Sequence, residues 1–309
     1  MKLVCTVASC LLLLSGCTFD RSSVKVSKDL PYASYTSAGE AKTLLLDLYL
    51  PPSQSQPQPL LIYIHGGGWR EFSKEICPGE TVAQKGWAIA CINYRYSTEA
   101  IFPAQIHDAK AAVRWLRANA SQYGLDPNRF GAWGASAGGH LSTLLGTSAG
   151  VTSLEGSMGN PDYSSAVQAV CNWYGPTDFT KVEPAFPGGF EPQKAAQFRD
   201  RPWYLYTLAT TLLLGDAVAE KPELAKAANP ITYIDPQDPP VMVLHGDLDK
   251  IVPVSQSELL VKALQLNNVP VVFQREPTMT HSYKGANGEP FDPQLIDSAL
   301  AFFAEVLNK

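Results

Sequence analysis

Apolar residues along this chain fall into short runs that alternate with stretches of helical period. Leu44-Leu45-Leu46-Asp47-Leu48-Tyr49-Leu50 reads as a strand closed by Pro51-Pro52, and residues 53–59 alternate Ser, Gln and Pro as an exposed turn. Leu60-Leu61-Ile62-Tyr63-Ile64 is apolar throughout, as expected of a central parallel strand covered on both faces. A helix is expected around 74–86, then a strand from Ala88 to Tyr94. Pro103 stands near the start of an amphipathic helix through Asn119, with Ile106, Ala109, Val113 and Leu116 at helical spacing. A short apolar strand after Arg129 leads into a glycine-flanked serine and another helix. Further strands are read at Val167–Trp173, Val241–Leu244 and Val269–Phe273, with helices at Ser255–Leu266 and from Pro293 onward. This alternation predicts an α/β fold: a mostly parallel, doubly wound sheet with helices on both faces. Functional groups are then expected at the C-terminal ends of the strands.

Between Tyr174 and Ile231 the alternation breaks. Residues 176–228 contain many prolines and glycines, together with Phe179, Phe186, Phe190, Phe198, Trp203, Tyr204 and Tyr206. This predicts a small cap inserted over the sheet's active edge; the same aromatics would also serve simply as the insertion's own core. At the start of the chain, Lys2 precedes an apolar run, Leu3 to Leu14, too short to span a bilayer and shaped like a signal peptide. The run ends in Leu14-Ser15-Gly16-Cys17, which resembles the lipobox of bacterial lipoproteins, whose cysteine carries lipid after cleavage. The expected organisation is a signal peptide over 1–16, a tether over 17–40 lipid-anchored at Cys17 and becoming ordered near Pro31, and one domain over 41–309. Such a protein is exported and held in the bacterial cell envelope, periplasmic or at the outer surface.

Composition narrows the picture. A chain of 309 residues with 45% apolar content can bury one large core. A net charge of −5, with no Lys/Arg cluster, argues against nucleic acid as a partner. Of the six cysteines, Cys5 and Cys10 leave with the signal peptide; Cys91 and Cys171 sit in strand-like runs and are expected as buried thiols. Beyond Cys17 that leaves these two and Cys77, and no essential disulfide is expected. No His-Glu-x-x-His or paired Cys-x-x-Cys is present, so neither a metal site nor a cofactor is expected.

The chemistry starts at Gly134-Ala135-Ser136-Ala137-Gly138. A serine between a strand and a helix in Gly-x-Ser-x-Gly sits on a sharp turn with its hydroxyl exposed above the sheet. Gly146-Thr147-Ser148-Ala149-Gly150 matches the same pattern, but helical residues precede it and its glycines look like helix ends. Ser136 is therefore the candidate nucleophile and Ser148 is loop.

Taken together, His65-Gly66-Gly67-Gly68-Trp69, the Ser136 elbow, the segment His245-Gly246-Asp247-Leu248-Asp249-Lys250-Ile251-Val252-Pro253 and His281 resemble the α/β-hydrolase fold. Within it they resemble the acetyl-esterase/feruloyl-esterase (BD-FAE-like) and hormone-sensitive-lipase-like carboxylesterases, over roughly residues 40–305. The family's order of serine, acid, base implies Ser136, Asp249 and His281 as a catalytic triad, because His281 is the one histidine after Asp249. Thr278-Met279-Thr280 before it departs from the family's Gly-rich approach. Asp247 competes for the acid role but has a turn-forming reading. His65 is expected to hold the Gly-rich loop, His107 and His140 to pack or face solvent, and Asp108 to make a structural ion pair. The backbone N–H groups of Gly67, Gly68 and Ala137 are implied as the oxyanion hole. Trp69 either lines a substrate pocket or packs under the loop. The resemblance implies a small ester or an esterified polysaccharide as substrate, with acetyl or feruloyl groups of plant polysaccharide plausible. A kynurenine-formamidase-like amidase or a serine peptidase would use the same residues, and a non-catalytic binding lipoprotein could use the same scaffold.

Overall fold

The computed structural model describes residues 23–37, 39–52, 57–181, 199–201, 204–282 and 291–308. The signal peptide, Cys17 and the cap aromatics Phe186, Phe190, Phe198 and Trp203 lie outside the described residues.

Eight strands form one sheet: β1 (Lys25–Ser37), β2 (Glu40–Leu50), β3 (Gln58–Ile64), β4 (Ala88–Ile92), β5 (Leu125–Ala135), β6 (Ala169–Trp173), β7 (Val241–Gly246) and β8 (Val271–Glu276). Their order is β1-β2-β4-β3-β5-β6-β7-β8. β1 and β2 are antiparallel to their neighbours, and the run from β4 to β8 is parallel. The α-helices among the described residues are α1 (Gly79–Gln84), α2 (Ala104–Ala118), α3 (Ala120–Tyr123), α4 (Ala137–Thr147), α5 (Thr152–Glu155), α6 (Tyr204–Leu214), α7 (Pro222–Ala227), α8 (Ser255–Leu266) and α9 (Pro293–Leu307).

The apolar run in β3 explains the layering. Side chains of a strand alternate between faces, so Leu60, Ile62 and Ile64 join one core cluster while Leu61 and Tyr63 join the other. The first cluster takes in Ile106 and Val113 of α2, Leu141 and Leu145 of α4, and Leu260 of α8. The second takes in Val82 of α1 with Leu295, Phe302 and Phe303 of α9. The doubly wound α/β sheet expected from the sequence is what forms.

Three expectations need correction. Residues 25–37, read as part of a tether over 17–40, form β1. Register shifts between Ser27 and Leu30 and between Pro31 and Ala33 break the alternation that would have marked a strand. Buried Tyr32 fastens it by donating from its hydroxyl to the Asn93 carbonyl at 2.6 Å. The helix expected at 74–86 shrinks to α1, because the chain before it is tied elsewhere: Lys74 N–H donates to Asn93, and its ammonium lies 2.8 Å from buried Asp47. The third correction concerns the cysteines. Cys91 is not a free thiol but is joined to Cys77 in a disulfide, with Cα atoms 6.2 Å apart. Cys91 points to the α1 side of the sheet, where the loop leading into α1 brings Cys77 over it. Cys171 is a buried free thiol, as expected.

Smaller shifts occur at strand ends. β8 begins at Val271 rather than Val269, and β2 to β4 extend or trim by a few residues against the apolar runs. Asp108 pairs with Arg95, whose Nη2 lies 2.6 Å from Oδ1 and whose Nε lies 2.9 Å from Oδ2. That ion pair fixes the loop after β4 to α2.

Candidate active site

β5 ends at Ala135 and α4 begins at Ala137, leaving Ser136 alone on the turn. Its φ of 56° and ψ of −121° lie where L-residues rarely sit. The turn closes so tightly that a Cβ on Gly138 would stand 1.9 Å from the Ile64 carbonyl oxygen. The Ser136 N–H donates to the Trp173 carbonyl of β6, holding the strained residue in place. Ser148, the competing motif serine, caps the far end of α4 and donates to the Leu144 carbonyl.

Ser136 Oγ lies 2.9 Å from His281 Nε2, and His281 Nδ1 lies 2.6 Å from Asp249 Oδ2. These three residues, far apart in sequence, come from the ends of β5, β7 and β8, as parallel-strand topology requires. Asp249 is over nine-tenths buried. Its other oxygen accepts the backbone N–H groups of Ile251 and Val252 at 2.8 and 2.9 Å. Burial alone would raise its carboxyl; hydrogen bonds from His245 and His281 outweigh this and hold it at about 2. The competitor Asp247 instead lies on the surface and pairs with Arg275 at 2.8 Å.

His245 has a larger part than its place before the acid suggested. It is fully buried, and its Nε2 faces the Val252 carbonyl at 2.9 Å and Asp249 Oδ2 at 3.3 Å. Two acceptors at one nitrogen require that Nε2 carry the hydrogen. Nδ1 is held by the Ser257 hydroxyl at 2.7 Å. The acid therefore has donors on several sides. No periodicity in the sequence reveals this; the four-residue spacing between His245 and Asp249 was the available signal.

The Gly-rich loop after β3 lines the same cavity, of about 300 Å³, as Ser136, Ala137, Tyr174 and His281. Gly67 has φ +94°, and a Cβ there would meet the Glu71 carbonyl oxygen at 2.1 Å. The carbonyl of Gly66 accepts from His65 Nδ1 at 2.8 Å and from the Tyr94 hydroxyl at 3.1 Å. Because a trans peptide is planar, fixing that carbonyl fixes the opposite direction for the Gly67 N–H. Burial pushes the His65 imidazole down to about 4, so it is neutral with its hydrogen on Nδ1. Its ring stacks on Tyr94 at 4.3 Å. Holding the loop is the role expected of His65.

Trp69 answers to both of its readings. Its indole is buried edge-on to His140 and Phe179, at 5.2 and 5.6 Å, yet the residue also lines the cavity. His140 donates from Nε2 to the Ala228 carbonyl, and burial lowers its imidazole to about 4. His107 meets the Ser153 carbonyl near the surface. Leu205, Tyr206 and Ala209 of α6, from the segment read as a cap, also line the cavity.

Residues 46–264 match the BD-FAE family model. The chain belongs to the BD-FAE family. It is 31% identical over 82% of its length to the probable carboxylic ester hydrolase LipM of Mycobacterium tuberculosis, and 30% identical over 83% to esterase LipQ of the same organism. It spans 56% and 57% of the lengths of those two relatives. A solved structure described as a truncated form of carbohydrate esterase from gut microbiota superposes with a TM-score of 0.77 at 31% identity, covering 94% of this chain and 99% of that one. The fold is the α/β-hydrolase fold. In this BD-FAE chain Ser136 and Asp249 fall within the matched span and His281 beyond it, so it is the 2.9 Å contact with Ser136 that brings His281 to the site.

Such an arrangement can deliver an activated hydroxyl to a carbonyl. With its hydrogen on Nδ1, donated to Asp249, His281 offers a lone pair at Nε2 to the Ser136 proton.

Proposed function

We propose that this chain is an exported serine carboxylesterase that hydrolyses short-chain or aromatic carboxylic esters, lipid-anchored to the cell envelope through Cys17. The observation that carries the reading is the unbroken contact chain Ser136–His281–Asp249 opening onto one cavity. Ser136 Oγ attacks the ester carbonyl as His281 Nε2 takes its proton. Asp249, kept ionised, stabilises the imidazolium and holds the tautomer. The backbone N–H groups of Gly67, Gly68 and Ala137 receive the oxyanion. His281 then protonates the leaving alcohol, and water, deprotonated by the same imidazole, releases the acid and restores the serine.

Relatives described as esterases and a neighbour described as a carbohydrate esterase support an ester substrate; acetyl or feruloyl esters of plant polysaccharide belong to this proposal as its candidate targets. Export is supported from an independent direction: the Cys77–Cys91 disulfide belongs to an oxidising compartment.

A fluorophosphonate should label Ser136 covalently, and Ser136→Ala should lose both the label and at least about a thousandfold of p-nitrophenyl acetate turnover with the fold intact. Retained turnover overturns the triad. A panel of methyl ferulate, acetylated xylan and N-formylkynurenine separates ester from amide chemistry. Cys17→Ser should move the protein from the membrane fraction to the soluble one; unchanged fractionation removes the lipid anchor.

A further inference from the structure

The two oxygens of the Asp249 carboxylate are served differently. Oδ1 accepts the backbone N–H groups of Ile251 and Val252, whereas Oδ2 faces two imidazoles, His281 Nδ1 at 2.6 Å and His245 Nε2 at 3.3 Å. One of these rings is the proposed base. The other is fully buried and takes no part in lining the cavity.

The buried ring is fixed from several directions. The Ser257 hydroxyl holds its Nδ1 at 2.7 Å, and Ser257 sits in the first turn of α8. The neighbouring Gln256 ties that turn to the loop after β6: its Oε1 accepts the N–H groups of Thr177 and Asp178 at 2.8 Å each, and its Nε2 donates to the Asp178 carbonyl at 3.1 Å. The same loop begins at Tyr174, which has φ 42° and donates its N–H to the Leu244 carbonyl at 2.7 Å. The Tyr174 ring stands edge-on to both imidazoles, 4.8 Å from His281 and 6.4 Å from His245. His245 is thereby kept on Oδ2 throughout.

With its hydrogen on Nε2, His245 is a standing donor to an oxygen that His281 also uses. A donor to an ionised carboxylate stabilises its charge and leaves that oxygen a weaker acceptor for any second donor. The other charges nearby have partners of their own or face outward. Asp247 and Glu258 pair with Arg275, Asp178 accepts from Thr180, Glu276 accepts from Gln274, and Lys250 is exposed. Among the described residues, His245, His281 and the Tyr174 phenol are the titratable groups left around the acid.

We propose that His245 is a positioning residue for the base: by taking a share of Asp249 Oδ2 it loosens the acid's hold on the His281 imidazolium, and so extends activity to lower pH. The inference rests on the triad reading above and adds the residue that sets its working range.

The test follows the acid limb of kcat/KM for p-nitrophenyl acetate, which reports the base of the free enzyme. His245→Phe keeps a buried ring but has no hydrogen to give, and should move the limb up by about 0.5 to 1 pH unit. His245→Gln, whose amide N–H can reach the same oxygen, should return it to within about 0.3 unit of wild type. Thermal unfolding of both variants identifies a misfolded protein. If His245→Phe misfolds, Ser257→Ala, which releases Nδ1 and lets the hydrogen leave Nε2, must move the limb in the same direction. In a folded variant, a limb that stays put or moves down, or activity lost altogether, shows that His245 only braces the turn; this overturns the proposal and leaves the triad in place. An equal rise in His245→Phe and His245→Gln overturns it too, since the donated hydrogen would then be irrelevant. A wild type that neither cleaves the ester nor takes a fluorophosphonate on Ser136 overturns both readings.

Discussion

The phenol of Tyr94 never reaches the cavity, yet it sets the direction of a backbone donor that does. Its hydroxyl contacts the carbonyls of His65 and Gly66 at 3.0 and 3.1 Å, and the Gly67 N–H follows from the second of these. Removing an oxyanion donor outright costs on the order of 10²–10³ in turnover. Loosening its aim should cost less, so Tyr94→Phe is expected to lower kcat about tenfold with KM within about twofold. Steady-state kinetics on p-nitrophenyl acetate check this; an unchanged kcat would mean that His65 alone holds the loop. At this scale the sequence was legible where local spacing carries the meaning. Ser136 is announced by its flanking glycines, and Asp249 and His281 by order along the chain. His245 and Tyr94 were not legible, because each acts through a partner that only the folded sheet brings near.

Among the elements, those with a strong period were read well. α2, α8 and α9 lie within a residue or so of the spans expected, since each lays a regular apolar stripe on the sheet. β3 and β7 were recognisable from fully apolar runs. β1 escaped because its bulges disrupt the alternation, and β8 slid by two residues because much of this edge strand is exposed or only part-buried. The Cys77–Cys91 link escaped for a different reason: pairing depends on the loop before α1 crossing β4, which spacing alone does not state. Closing a loop of 14 residues limits the unfolded chain and stabilises by about 3 kcal/mol. The double variant Cys77→Ala, Cys91→Ala should therefore unfold at a clearly lower urea concentration than wild type, with reductant mimicking the effect on the native protein. Coincident urea curves would show that the link adds nothing to the native fold.

For the molecule as a whole, the acid of the site is also a stability element. The Asp249 carboxyl titrates at about 2 in the folded protein against an ordinary 3.8. Between those values the unfolded chain binds the extra proton, so stability falls with falling pH there and the contribution is fully present above about pH 4. A gap of this size corresponds to roughly 2 kcal/mol. Urea unfolding of wild type and Asp249→Asn across pH 2–5 should show a steeper acid decline for wild type, its total loss of stability over that range being larger by about this amount. Parallel slopes would mean that the hydrogen bonds of Asp249 persist in the denatured chain.

The early start of β1 also sets a geometric limit. Its first residue, Lys25, follows Cys17 by only eight positions. Eight residues pulled taut reach about 28 Å at most. With acyl chains on Cys17, the enzyme would ride as a moored body against the bilayer instead of ranging on a long leash. Under the proposed function, esters would then have to be delivered to the membrane surface, and small diffusible ones would reach the site ahead of large ones.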